Sequence, residues 1–424
     1  MKDRKVVITG LGMVTALGLS VEESWGRALA GESGIRAIQR PEWLASPVRA
    51  VGGVSEEDLK VIIHQYPIIG SQGVEKRTLF ALWAAGEALE AAGLKNNPSE
   101  IGVVFGAGLG VFRLEDDLQW LQPNGVPDWI RFAKEINLIH PESQMRHPYD
   151  RATSAIADQF SCTGLQSTVT TACASATQAI GTAYRLIKRG EAEVILCGGA
   201  DSMIHPVGLI YFVLLGAASV SHDPPQSICK PFDRRRAGLV MGEGAGVVIL
   251  EEEGHARARG AKIYGELAGY ASSMDGWRIT APHPEGAGAA RAMEKALQDA
   301  GMSPESIDYI NAHGTGTKLN DAAETLAIRS VFGPAASELA ISSSKPLFGH
   351  LLAASGGPEF VLTVLTVERD AIHPTLNLTQ PDPKCDLDYV PLQTRRRTVR
   401  AALSNSFGFG GENGCLVVKK YSQS

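Results

Sequence analysis

Apolar, β-rich runs punctuate this chain, and helix-patterned segments separate them. Such runs cover residues 5–12, 101–106, 167–170, 193–199 and 245–251, with helical patterns at 22–30, 78–92 and 172–189. From Lys262 the rhythm restarts, with strand patterns at 262–271, 307–312, 339–343, 399–405 and 415–419 and helical patterns at 286–300, 321–331 and 351–369. Runs that are apolar throughout, rather than alternating, belong to strands buried on both faces by helices. The two halves, 1–255 and 256–424, each alternate strand and helix and each close on strands. That pattern predicts a duplicated α/β unit around a mostly parallel central sheet. No repeat is visible residue by residue, so the duplication rests on the order of elements.

Composition narrows the function classes. Net charge is −6, with 44% hydrophobic and 20% charged residues, which gives no footprint for nucleic acid or an anionic membrane. No run is long and apolar enough to span a bilayer, and the first residues lack the pattern of a secretion signal. The six cysteines form no C-x-x-C pair and match no zinc spacing. Reduced thiols in a cytoplasmic protein, with no metal, are the expectation. Gly10-x-Gly12 follows the first strand as a glycine turn, but no acidic residue ends a second strand at the right distance, so dinucleotide binding is rejected. Arg234-Arg235-Arg236 reads as a solvated face.

Ligands of such sheets gather at the carboxyl ends of strands. Four groups fall there. Cys173 sits where the 167–170 strand meets a helix, in Thr171-Ala172-Cys173-Ala174-Ser175. A helix start favours the thiolate, the nucleophilic form. His313 follows a strand in Asn311-Ala312-His313-Gly314-Thr315-Gly316-Thr317. Lys345 and His350 share Lys345-Pro346-Leu347-Phe348-Gly349-His350, and Phe407-Gly408-Phe409-Gly410-Gly411 forms a flexible turn. Each alone has a bland reading: a buried thiol, a satisfied histidine. Together they fit a thiol hydrolase or a carbon–carbon bond former. Two imidazole donors suit an enolate better than a hydrolase needs.

Residues 4–421 resemble the elongating β-ketoacyl-acyl-carrier-protein synthases, condensing enzymes of the thiolase-like fold. The likeness rests on the four motifs above, with Asn405-Ser406 leading into the last, and on Asp233, Gly238 and Met241-Gly242-Glu243-Gly244-Ala245-Gly246 before a strand. It implies a five-layered αβαβα fold. It implies that Cys173 is acylated, that His313 and His350 stabilise the enolate formed when a malonyl thioester loses CO₂, and that Lys345, paired with or braced by Glu359, holds the set together. The Cys173 and Phe409 N–H groups would form an oxyanion hole. Phe409 would gate an acyl pocket with Leu109 across from it, Phe407 would bind substrate, and Thr315 and Thr317 would touch the pantetheine arm. No cofactor is implied, since the phosphopantetheine rides on an acyl carrier protein. A homodimer is implied, with a heterodimer open.

Departures from the family pattern touch other features. Gly216 stands where an arginine usually docks the acidic carrier, and Glu412 where threonine follows the double glycine. Val111 follows Leu109-Gly110 where a second glycine is common, and residues 112–165, with Met145-Arg146-His147-Pro148-Tyr149, diverge. These leave chain length and pathway open between fatty acid, polyketide and polyene. The competing reading is a non-catalytic, chain-length-setting partner of a ketosynthase. Such subunits resemble this family but lack the cysteine that Cys173 supplies here.

Overall fold

The computed structural model describes residues 4–39, 45–67, 76–95, 100–109, 120–135, 137 and 149–422. The first half contributes β1 (Val6–Val14), β2 (Gly102–Ala107), β3 (Gln166–Val169), β4 (Val194–Ser202) and β5 (Glu243–Glu252). The second contributes β6 (Gly265–Met274), β7 (Tyr309–Asn311), β8 (Ala340–Ser342), β9 (Ala401–Phe407) and β10 (Glu412–Lys419). One sheet holds all ten, in the order β8-β7-β9-β10-β6-β1-β5-β4-β2-β3. Counting within each half, both sets run third, second, fourth, fifth, first. The senses of pairing also match, parallel around β2 and β7 and antiparallel around β5 and β10. The halves join where Val6–Ile8 of β1 pairs antiparallel with β6.

The expectation of a mostly parallel sheet is corrected. Four of these nine pairings are parallel and five antiparallel. In the second half β10 follows β9 after residues 408–411, a connection short enough to permit only an antiparallel neighbour; in the first half β5 follows β4 after the long 203–242 connection and pairs antiparallel as well.

Helices build the layers. Outside the first strand set lie α1 (Lys76–Ala91), on β1, β4 and β5, and α2 (Arg151–Phe160), on β2 and β3. Outside the second lies α5 (Ala287–Ala300), on β6 and β10, with α6 (Lys318–Phe332) against it. Between the sets lie α3 (Ser175–Arg189) and α7 (Gly356–Arg369), each touching strands of both. The result is the layered αβαβα arrangement. One further helix, α4 (Pro206–Leu214), projects apolar residues outward, with Leu214 79% exposed.

Gly10 and Gly12 do not end β1, which continues to Val14. A Cβ at these positions would lie 2.2 Å from Ala88 O and 1.9 Å from Ala84 O. The glycines let α1 approach the strand, so their role is packing.

Candidate active site

Cys173 lies at the C-terminal end of β3, one residue before the Ala174 cap of α3. Ala172 ahead of it takes the left-handed region, φ 46°, a strained elbow for a residue with a Cβ. The elbow is tied from both sides: the Thr171 N–H donates to Ser175 Oγ (2.8 Å), and the Ser175 hydroxyl donates to Ala172 O (2.7 Å). The Phe409 N–H is near enough to the Cys173 sulfur to favour its charged form. Gly408 makes that approach possible, since a Cβ there would sit 3.0 Å from Cys173 N.

The thiolate expectation is corrected. Burial pushes the Cys173 thiol up to about 11, and Lys345 and the Phe409 N–H pull it down only in part. Cys173 is only 7% exposed, and a charge taken from water there costs more than a helix start returns. The resting group is a thiol.

His313 and His350 come from the second half. His313 follows β7, and Glu324 of α6 accepts from the His313 and Gly314 N–H groups, each at 2.8 Å. His350 lies between β8 and α7. Its Nδ1 accepts from the Leu352 N–H at 3.1 Å and lies 2.7 Å from Ser355 Oγ. A backbone N–H can only donate, so Nδ1 is bare and the proton sits on Nε2. The two rings meet edge to face, centroids 5.2 Å apart, and Phe407 lies 5.9 Å from His313. Burial holds both imidazoles well below the usual range, and Lys345 adds to it. Both are neutral hydrogen-bond donors at pH 7.

Lys345 Nζ donates to His313 O at 2.8 Å and pairs with Glu359. Lysine and glutamate are both fully buried. Burial lifts the Glu359 carboxyl to about 7 against the pull of Lys345. An isolated buried charge is far more costly than a paired one, so each residue is held by the other. Among the described residues, no cluster of His, Cys, Asp and Glu is arranged to hold a metal.

Two cavities converge on the sulfur. One, about 660 Å³, is lined by His313, His350, Thr315, Thr317 and Phe407, with Gly216, Arg234 and Lys318 farther out. The other, about 460 Å³, is lined mainly by apolar groups, among them Leu109, Met203, Phe212 and Leu352. Cys173 and Phe409 line both. The Phe409 ring stacks on Phe212 of α4, centroids 6.5 Å apart. Leu109 is 56% exposed at the rim of the apolar cavity. Val111, Gly110 and the Met145–Pro148 part of the divergent segment lie outside the described residues, while Tyr149 is exposed.

The arginine run is a solvated face only in part: Arg234 and Arg235 are exposed, and Arg236 is not. Arg236 is 3% exposed, ion-pairs with Asp382 (2.6 Å) and Asp321 (3.6 Å), and donates to Thr317 O and Lys318 O. Asp233 accepts from Arg235, Thr379 and Gln380; burial raises its carboxyl, but these bonds win and hold it well below the usual range. Glu412 O accepts from the Gly408 N–H, and its carboxylate lies 3.4 Å from Gln178 Nε2. The sequence reading missed Glu324, Ser355 and Phe212. Glu324 left a signal, an acid beside Asp321 within an otherwise apolar helical face; the other two left none.

A duplicated layered α/β fold with a cysteine, two neutral imidazoles and a buried lysine–glutamate pair at the strand ends defines a condensing enzyme. Two family descriptions match the sequence: "Beta-ketoacyl synthase, N-terminal domain" over residues 3–256 and "Beta-ketoacyl synthase, C-terminal domain" over 264–379. The chain is 40% identical to the 3-oxoacyl-[acyl-carrier-protein] synthase 2 of Synechocystis sp., covering 99% of each protein. It superposes on a β-ketoacyl synthase from Burkholderia phymatum with a TM-score of 0.88 at 32% identity, covering 99% of this chain and 100% of that one. The ketosynthase of AntDE:AntF, solved with its type II PKS acyl-carrier protein and bound to the hexaketide, gives 0.87 at 32% identity over the same shares. The chain belongs to the β-ketoacyl synthase family, acyltransferases that need no cofactor of their own. Among the described residues no helix is long and apolar enough to cross a membrane.

Proposed function

We propose that this protein is an elongating β-ketoacyl-[acyl-carrier-protein] synthase that condenses a carrier-bound acyl chain with a malonyl thioester. The observation that carries it is the meeting at Cys173 of two cavities, a more polar one of mixed lining and an almost wholly apolar one, beside two neutral imidazoles. The polar cavity suits a pantetheine arm, with Thr315 and Thr317 along it, and the apolar one suits an acyl chain, with Phe409 between them and Leu109 at the rim.

Cys173 attacks the acyl thioester carbonyl. The new C–S bond forms, the pantetheine C–S bond breaks, and the thiol proton leaves on the pantetheine sulfur. The Cys173 and Phe409 N–H groups hold the tetrahedral oxyanion. A malonyl thioester then replaces the first arm. Its carboxylate departs as CO₂, leaving the electron pair as an enolate whose oxygen takes hydrogen bonds from His350 Nε2–H and from His313. The enolate carbon attacks the acyl-cysteine carbonyl, the new C–C bond forms as the C–S bond to Cys173 breaks, and the expelled thiolate takes up a proton from solvent. Lys345 and Glu359 touch no reacting atom in this scheme; they set the field and fix the His313 backbone.

The chain divides at 255/256 into a half carrying the nucleophile and a half carrying the histidines and lysine. The carrier docks at the mouth of the polar cavity. With Gly216 in place of a docking arginine, Arg234 and Lys318 supply the charge; neither has a carboxylate partner among the described residues. A homodimer through the edge strand β3, where Gln166 and Ser167 are exposed, and a cytoplasmic location, in keeping with six free buried cysteines, complete the reading.

The test is to mix the protein with acyl and malonyl carrier proteins. A 3-ketoacyl product with CO₂ is the expected result. Release of free acid alone would make it a thiol hydrolase. Activity only after a second subunit is added would make it half of a heterodimer.

A further inference from the structure

Behind the catalytic groups lies a buried polar chain that the reaction scheme does not use. His373 is fully buried, in the segment that follows α7. Its Nδ1 lies 3.2 Å from Pro374 O, and its Nε2 lies 3.1 Å from Ser344 Oγ. A carbonyl only accepts, so the proton is on Nδ1 and Nε2 accepts from the Ser344 hydroxyl. Ser344 Oγ also meets the Asn311 amide, 3.2 Å from Nδ2 and 3.3 Å from Oδ1, and Nδ2 donates to Glu359 O at 3.0 Å. Two residues on, Thr375 Oγ1 accepts from the Ser343 N–H at 3.0 Å, and the Ser343 hydroxyl donates to Gly314 O at 2.7 Å. Tyr309 OH, 3.4 Å from Nε2, and Ser342 Oγ, 3.4 Å from both ring nitrogens, close the network.

The groups reached through Ser343 and Ser344 flank catalytic ones. Ser344 precedes Lys345, Asn311 and Gly314 bracket His313, and the Glu359 backbone carries the carboxylate that Lys345 pairs with. The Glu359 carbonyl, accepting from Asn311 Nδ2, determines which way the amide faces, and the bare His373 Nε2, at 3.1 Å, is the nearer of two acceptors offered to the Ser344 hydroxyl. Burial keeps His373 neutral, down at about 4, and the acceptor at Nε2 persists through the working pH range.

We propose that His373 is a positioning residue: by accepting from Ser344 it locks the ends of β7 and β8, and with them His313 and the Lys345–Glu359 pair, in the arrangement that stabilises the enolate. The proposal rests on the condensing function argued above. It assigns His373 to the second half-reaction, since the first is built on the Cys173 elbow and the Phe409 turn, which these bonds do not touch.

The experiment measures self-acylation of Cys173 and malonyl decarboxylation separately in the full-length wild type, His373→Leu, His373→Gln and Ser344→Ala. A glutamine carries a polar atom near the ε position and restores the acceptor. His373→Leu and Ser344→Ala should lower decarboxylation about tenfold or more, as small misplacements of catalytic groups do, with self-acylation within about twofold of wild type. His373→Gln should recover most of the lost rate. Equal loss in both half-reactions, or no recovery by glutamine with Ser344→Ala near wild type, would reduce His373 to a structural residue. If His373→Leu does not fold, Ser344→Ala and His373→Gln decide the matter by the same ratio. A wild type that evolves no CO₂ would overturn the condensing function and the positioning role together; an active wild type with an unchanged ratio in the variants overturns the positioning role alone.

Discussion

The Leu352 N–H reaches His350 Nδ1 at 3.1 Å, and this single backbone bond decides which ring nitrogen of His350 faces the substrate as a donor. Burial supplies the other half of the condition by keeping the ring neutral. A charged ring beside Lys345 would repel it, and a ring with the opposite tautomer would present a lone pair to the enolate oxygen.

His350→Ala should therefore lose decarboxylation far more than self-acylation, by about a hundredfold or more for removal of one oxyanion donor. Mass spectrometry of the acyl-enzyme and trapping of CO₂ separate the two. Equal loss of both steps would show that His350 has been given the wrong role. Cys173→Ala should show no acyl-enzyme mass shift.

The Cys173 thiol, pushed up to about 11 by burial, should respond steeply to pH. Below its pKa the thiolate fraction rises about tenfold per pH unit. Alkylation of Cys173 by iodoacetamide should therefore accelerate about tenfold from pH 7 to 8 and again from 8 to 9. A plateau beginning below pH 8 would mean that the helix start and Lys345 outweigh burial after all.

At the mouth, Arg234→Glu with Lys318→Glu should raise KM for carrier-bound acyl groups roughly fivefold at low salt, the range of exposed charge pairs. KM for a short pantetheine thioester without the carrier should not move. Added salt should erase the difference between variant and wild type. An equal KM change for both substrates would place these cations on the arm's own path instead of the docking surface.

Much of this was legible in the sequence for a local reason. Apolar runs such as residues 101–106 and 193–199 read as buried strands because burial on both faces demands apolar residues at every position. The Cys173, His313 and Lys345–His350 motifs stood at strand ends because loops after strands are where polar groups survive near a buried sheet. Other readings failed where the partner was remote. Gly10 and Gly12 looked like a turn because only α1, brought in from residues 84 and 88, shows why no Cβ fits. Arg236 looked solvated because Asp321 and Asp382, its partners, lie some 85 and 146 positions away along the chain.

By itself, the sequence determined the alternation of strand and helix and singled out the proposed nucleophile and its proposed companions. These depend on residue type and short spacing. Only the tertiary structure decided the sheet's mixed sense, the shared strand order of the halves and the protonation of the site. Burial and through-space partners determine that chemistry: Cys173 is a thiol because water is excluded, His350 donates from Nε2 because Leu352 occupies Nδ1, and Lys345 has a partner in the core because Glu359 lies against it.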